Sequence, residues 1–166
     1  MTLFQLYEKK ELPLEIQKLL ESGNCGGYLQ APCPVHPSGP VTFVCPSLLK
    51  VNGSTLLLGL ADEHTALGRG LVNSLWFDRE MTLWLHGADV VYKLSVKSLR
   101  CLITGPLFAR MLLRARQKDA SAEIGCAWEL CWQSCEQTQE PLPAALPLPV
   151  PITPDLHLDN PRIRNS

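Results

Sequence analysis

The sequence predicts a mainly β protein, an antiparallel barrel or sandwich with a few helices at its rim. Two observations carry this. Apolar or alternating runs of strand length outnumber the helical patterns, in the order helix, strand, strand, strand, helix, strand, strand, helix, strand. Several of these runs are also joined by turns too short for a parallel crossover, above all at Asn52-Gly53. No internal repeat is present.

Leu12 to Ser22 places Leu12, Ile16, Leu19 and Leu20 along one helical face, and Gly23-Asn24 stops the helix. Cys25 to Ala31 reads as a strand that opens on two glycines, the mark of a bulge or of a close approach by another backbone or a ligand. Pro32 to Pro40 is a proline-rich turn. The central stretch runs from Thr42 to Trp84. Thr42 to Val51 reads as one apolar strand, Asn52-Gly53 as a tight two-residue turn, and Ser54 to Leu60 as its partner. The polar loop Ala61 to Thr65 opens a helix from about Ala66 to Phe77, and Met81 to Leu85 returns as a strand. Val90 to Gly105 alternates clearly. Val91, Lys93, Ser95, Lys97 and Leu99 form one side, and Tyr92, Leu94, Val96 and Ser98 the other. That is a long strand with one wet face, and its length predicts a bulge. Pro106 to Lys118 is an amphipathic helix with proline suited to its first turn and basic residues towards its end. Ala122 to Cys135 is the last strand. Residues 1–136 thus form the domain and 137–166 an arm, in which Glu140 to Pro154 carries six prolines and is expected to lie extended on a surface.

The totals bound the function. The chain has 166 residues, 46% hydrophobic and 19% charged, which suits one globular domain. A net charge of -1 gives generic nucleic-acid or anionic-membrane binding little support. The charged N-terminus does not read as a secretory signal, and no apolar run approaches the length of a membrane span, so a cytoplasmic protein is expected. The seven cysteines fit reduced thiols in that compartment. Cys126, Cys131 and Cys135 lack the usual zinc spacings, and buried thiols are preferred to a metal site.

The strand pair PSLLKVNGSTLLL, the segment HTALGRGLVNSLWFDREMTLWL and the closing order of long strand, helix and strand resemble the FMN-binding split barrel of the pyridoxamine 5'-phosphate oxidase-like superfamily. The small FMN-binding proteins and flavin-reductase-like members are nearest. The resemblance spans about Pro13 to Cys135. It implies a six-stranded antiparallel split β-barrel, a homodimer with FMN in each of two clefts between subunits, and a flavin-dependent oxidoreductase or electron carrier drawing on a reduced nicotinamide nucleotide. Carried over by position, the flavin ring would lie against Val44, Cys45, Pro46 and Ser47. The phosphate would meet Arg69, with Thr65 and Gly70 nearby and Lys50 in reach. The family's Lys-Thr pair is replaced by Arg69-Gly70, and Pro46 removes a backbone donor. These departures leave a second reading open, a non-enzymatic dimeric module for a small ligand or haem.

The residues themselves allow plainer readings. Thr65 is also a natural N-cap, Lys50 a solvent-facing strand residue, and Arg69 a solvated helix residue. His64 is read as a loop residue. The four tryptophans suit a core, and Trp132, near the arm, is the first to test as a flavin neighbour. No Gly-rich phosphate loop, nucleophile elbow, His-Glu zinc motif or carboxylate pair occurs, so redox chemistry would belong to a cofactor.

Overall fold

The computed structural model describes residues 11–22, 25–31, 41–62 and 64–142. The predicted turn at 32–40 and the arm beyond Leu142 lie outside them. The elements are α1 (Leu14–Glu21), β1 (Gly26–Gln30), β2 (Val41–Val44), a 3-10 turn (Pro46–Leu48), β3 (Leu49–Asn52), β4 (Thr55–Leu60), α2 (Ala66–Phe77), β5 (Met81–His86), β6 (Val91–Leu102), α3 (Pro106–Lys118) and β7 (Cys126–Thr138).

The described residues form one antiparallel sheet of seven strands in the order β2-β1-β5-β6-β7-β4-β3. The expected six becomes seven because Thr42 to Val51 is not one strand. Pro46 has no N–H to offer a ladder, and the chain turns there, leaving β2 paired to β1 and β3 paired to β4 at opposite edges of the sheet. This break also dictates the curl. A flat sheet of seven strands would hold its edges about 29 Å apart at the usual strand spacing. The five Cα steps from Val44 to Leu49 reach at most about 18 Å. The sheet therefore rolls into a half-barrel whose split lies between β2 and β3.

The inner face carries the main core, including Leu29, Leu56, Leu58, Leu83, Leu85, Leu94, Val96 and Leu130. Helices sit at the two ends. At one end, α1 buries Ile16 and Leu20, with Leu19 beside Gly87 in the β5–β6 turn. At the other, α2 buries Leu67 and Leu71 and lays Gly70 against Ala31, just past the end of β1. Outside the barrel, α3 covers a smaller cluster in which Met111, Ala115 and Ile124 meet Leu57 and Ala127.

Local details follow from residue type. The β3–β4 turn is shifted by one residue from expectation: Asn52 pairs with Thr55, so Gly53 and Ser54 are the central pair, and Gly53 alone takes the positive φ of +61°. The bulge expected in β6 is present as register shifts at Ser95/Val96 and Ser98/Arg100. At Gly26 the close neighbour is a side chain rather than a backbone or a ligand: a Cβ there would occupy the His86 imidazole, which stacks on Tyr28 with ring centroids 5.8 Å apart. β7 runs on to Thr138, two residues past the expected domain boundary, because Glu136, Gln137 and Thr138 still pair with Lys93, Tyr92 and Val91.

Candidate functional site

The sequence-predicted site residues fall into two groups. The first is the turn between the sheet edges. Val44 is buried, with its side chain in the main core, so it offers the turn only backbone. Cys45 is exposed, and its Sγ lies 3.1 Å from Ser47 Oγ. Leu48 N donates to Cys45 O at 2.9 Å, closing the turn around Pro46. Lys50 is half-buried on β3, opposite Leu57.

An arginine holds this turn in place. Arg114 Nε donates to Ser47 O at 3.0 Å, tying α3 to the sheet edge. The sequence pattern by itself gives Arg114 no role. Its spacing was the available signal: it follows the buried Met111 by three residues and so shares that side of the helix.

The second group opens α2. Thr65 is buried and extended, and its Oγ1 accepts from Gly68 N at 3.0 Å while its carbonyl accepts from Arg69 N at 3.0 Å. It is the N-cap the sequence suggested. Just before it, His64 N donates to Asp62 Oδ1 at 2.8 Å, which shapes the approach to the helix. Arg69 is exposed on the first turn, where the helix dipole favours an anion. Gly70 faces inward, and a side chain there would collide with Ala31. Trp132 is half-buried against the main core, opposite Val96 on β6. The turn, the start of α2 and Trp132 lie on separate elements, with Cys45 and Arg69 exposed.

A polar network that sequence reasoning missed lies on the outer face. Glu129 is 8% exposed. It accepts from Thr55 Oγ1 at 2.7 Å, Arg100 Nε at 2.7 Å and Asn52 Nδ2 at 3.2 Å. Burial by itself pushes the carboxyl up, but the bonds from Thr55 and Arg100, the Arg100 charge and the Asn52 bond outweigh it and hold the group below its ordinary value. These residues are scattered over β3, β4, β6 and β7, so only strand register brings them together.

Among the described residues, no group of three or more His, Cys, Asp or Glu side chains is placed to hold a metal. Cys126 and Cys131 stand five residues apart along β7, about 17 Å of strand, too far to share a metal. Burial pushes the Cys25 thiol up to about 11, against the lowering effect of the His86 backbone N–H, so it stays protonated.

No family model matches the sequence, and no curated relative is detected. Solved structures do match its fold. An FMN-binding protein from Syntrophomonas wolfei subsp. wolfei superposes with a TM-score of 0.59 at 12% identity, covering 83% of this chain and 89% of its own. An F420 reductase gives 0.56 at 12% identity, over 75% and 98%. A pyridoxamine 5'-phosphate oxidase-like protein from Listeria innocua gives 0.54 at 11% identity, over 76% and 97%. The chain therefore shares its split-barrel fold with these structures, the fold its sequence resembles.

Proposed function

We propose that the protein is an FMN-binding homodimer, a cytoplasmic flavin-dependent oxidoreductase or electron carrier with one flavin in each cleft between subunits. The supporting observation is Arg69: an exposed guanidinium on the first turn of a capped helix, in a fold shared with an FMN-binding protein and an F420 reductase. The residues suit the group. Arg69 offers a forked donor to a dianionic phosphate, aided by the positive end of α2. Thr65 keeps that helix end rigid, Gly70 lets it seat against Ala31, and Lys50 adds positive charge. Cys45 and Ser47, with the backbone of Val44 and Pro46, border the ring, and Arg114 fixes their turn through Ser47. Trp132 supplies an aromatic edge. Because Cys45 and Arg69 are exposed on the single chain, a second subunit would complete the cleft and exclude water. Bound flavin would supply the hydride or electron chemistry, with a reduced nicotinamide nucleotide as donor.

The absorbance spectrum of freshly purified protein, with and without added FMN, tests this reading. Flavin bands that stay with the protein through gel filtration, and a raised melting temperature, are expected. In the Arg69→Ala variant, FMN affinity should fall by about tenfold or more, the loss of one charge-assisted phosphate contact. Protein that stays colourless and shows no melting shift with FMN overturns the proposal.

A second reading has its own observation. Pro46 sits in the turn that would face the ring and brings no N–H to it. A protein with weakened ring recognition would serve as a dimeric binding module for another small ligand or haem. Steady oxidation of NADH that depends on added FMN counts against that alternative.

A further inference from the structure

Helix α2 is apolar on two sides. Its inner side buries Leu67 and Leu71 in the barrel. Its outer side presents Val72, Leu75 and Trp76 at the spacing of one helical stripe, with Phe77 beside them. Trp76 is 76% exposed and Phe77 61%. A contiguous apolar stripe on a helix surface is normally covered by a partner surface. Arg79 lies 6.0 Å from the centre of the Phe77 ring and adds a donor at the margin.

We infer that the chain's own proline-rich segment, Pro141 to Pro154, docks along this outer face of α2. Three observations select that occupant. The first is area. The two aromatics offer on the order of 300 Å² between them. That is well short of the ~800 Å² per partner that a stable dimer interface buries. It matches a short extended peptide. The second is chemistry. The Leu-Pro-Leu-Pro-Val-Pro run favours the polyproline II form, whose carbonyls have no internal donors. Such segments bind aromatic-lined surfaces that offer ring faces and an N–H, as Trp76 does. The third is reach. β7 ends at Thr138 opposite Val91, and the end of α2 is tied to the same strand, β6, by Asp78 Oδ1 and Lys97 Nζ at 3.0 Å. From Val91 to Lys97 is about 20 Å of strand. The twelve residues from 143 to 154 span about 37 Å as polyproline II. The segment can therefore lie on the helix of its own chain, whether or not flavin is bound.

Acrylamide quenching of tryptophan fluorescence tests this in the full-length protein. The variant carries Leu146→Ser, Leu148→Ser and Val150→Ser. One tryptophan of the four should become quenchable in the variant and not in the parent. The difference should vanish when both carry Trp76→Phe, which separates Trp76 from Trp132. A synthetic peptide of residues 141–154, added to the variant, should restore the shielding. Sedimentation velocity should give the same oligomeric state for parent and variant. If Trp76 is equally quenchable in both proteins, the face is open and the inference fails. If it stays shielded in both, another surface, such as a second copy, covers it and the inference fails. If exposure of Trp76 comes with loss of a dimer, the segment reaches across to a neighbour, and the assignment within one chain is overturned.

Discussion

The two longer helices, α2 and α3, are nearly equal in length, and both pack against the same sheet, but they solve different problems. α3 buries one stripe, Met111 and Ala115, over a small cluster on the outer face, turns Arg110 and Lys118 to water, ties Arg116 to Ala122 O and Glu123, and leaves Leu113 alone of its large apolar side chains exposed. It is a finished amphipathic helix. α2 puts Leu67 and Leu71 into the main core yet leaves Val72, Leu75, Trp76 and Phe77 outside. The pair teaches that burial on one side says little about the other. α3 closes a surface, whereas α2 joins the core to whatever covers its far side.

The largest test of this difference removes one inner anchor from each helix. Leu71→Ala should cost towards the upper end of about 2–5 kcal/mol, because it opens a cavity deep in the main core. Met111→Ala should fall towards the lower end of that range, because half-buried side chains such as Leu107, Phe108 and Leu112 can settle into the gap. Urea unfolding measures both, and equal costs would break the comparison.

A middle-sized effect belongs to Glu129 on the outer face, close to the α3 cluster. Glu129→Gln should lose about 1–2 kcal/mol at neutral pH, the difference between charged and neutral hydrogen bonds to Thr55, Asn52 and Arg100. The carboxyl is held below its unfolded value, so its contribution is fully present above the unfolded range near ~4.3 and is lost as pH falls through the lower folded value. Stability curves of parent and variant should therefore converge in acid. A gap that persists at low pH would assign the loss to packing instead.

The smallest effect sharpens the contrast at the helix starts. Thr65→Ala should cost about 1 kcal/mol by removing the bond to Gly68 N. α3 starts at Gly105 with no side-chain cap, and its φ of +99° is one that glycine alone holds without strain. Gly105→Ala should destabilise through backbone strain, with no lost hydrogen bond. Thermal melts of the two variants, with amide exchange at Gly68, separate the mechanisms.

Much of this was legible in the chain. The 3.6-residue pattern, Thr65 and Pro106 gave α2 and α3 their bounds, because caps and periodicity are local. The alternation of Val91 to Ser98 gave β6 and its buried side, with Leu94, Val96 and Ser98 inward. The same logic misread Thr42 to Val51 as one strand. An apolar run looks continuous, and the weight of Pro46 depended on whether its neighbours would pair with each other or with two different strands.

Sequence alone determined where α2 and α3 start and stop, which strand residues are apolar, and that the chain would build a mainly antiparallel β domain, since each of these is set within a few residues by backbone sterics, capping and side-chain period. Tertiary structure alone decided the rest. It placed β2 and β3 at opposite edges, so that the four residues between them force the sheet to curl. It brought Asn52, Thr55, Arg100 and Glu129 together from four strands, and it set Arg114 on the carbonyl of Ser47. Contacts between residues tens of positions apart depend on strand register and sheet order, which are settled only when all seven strands share one core.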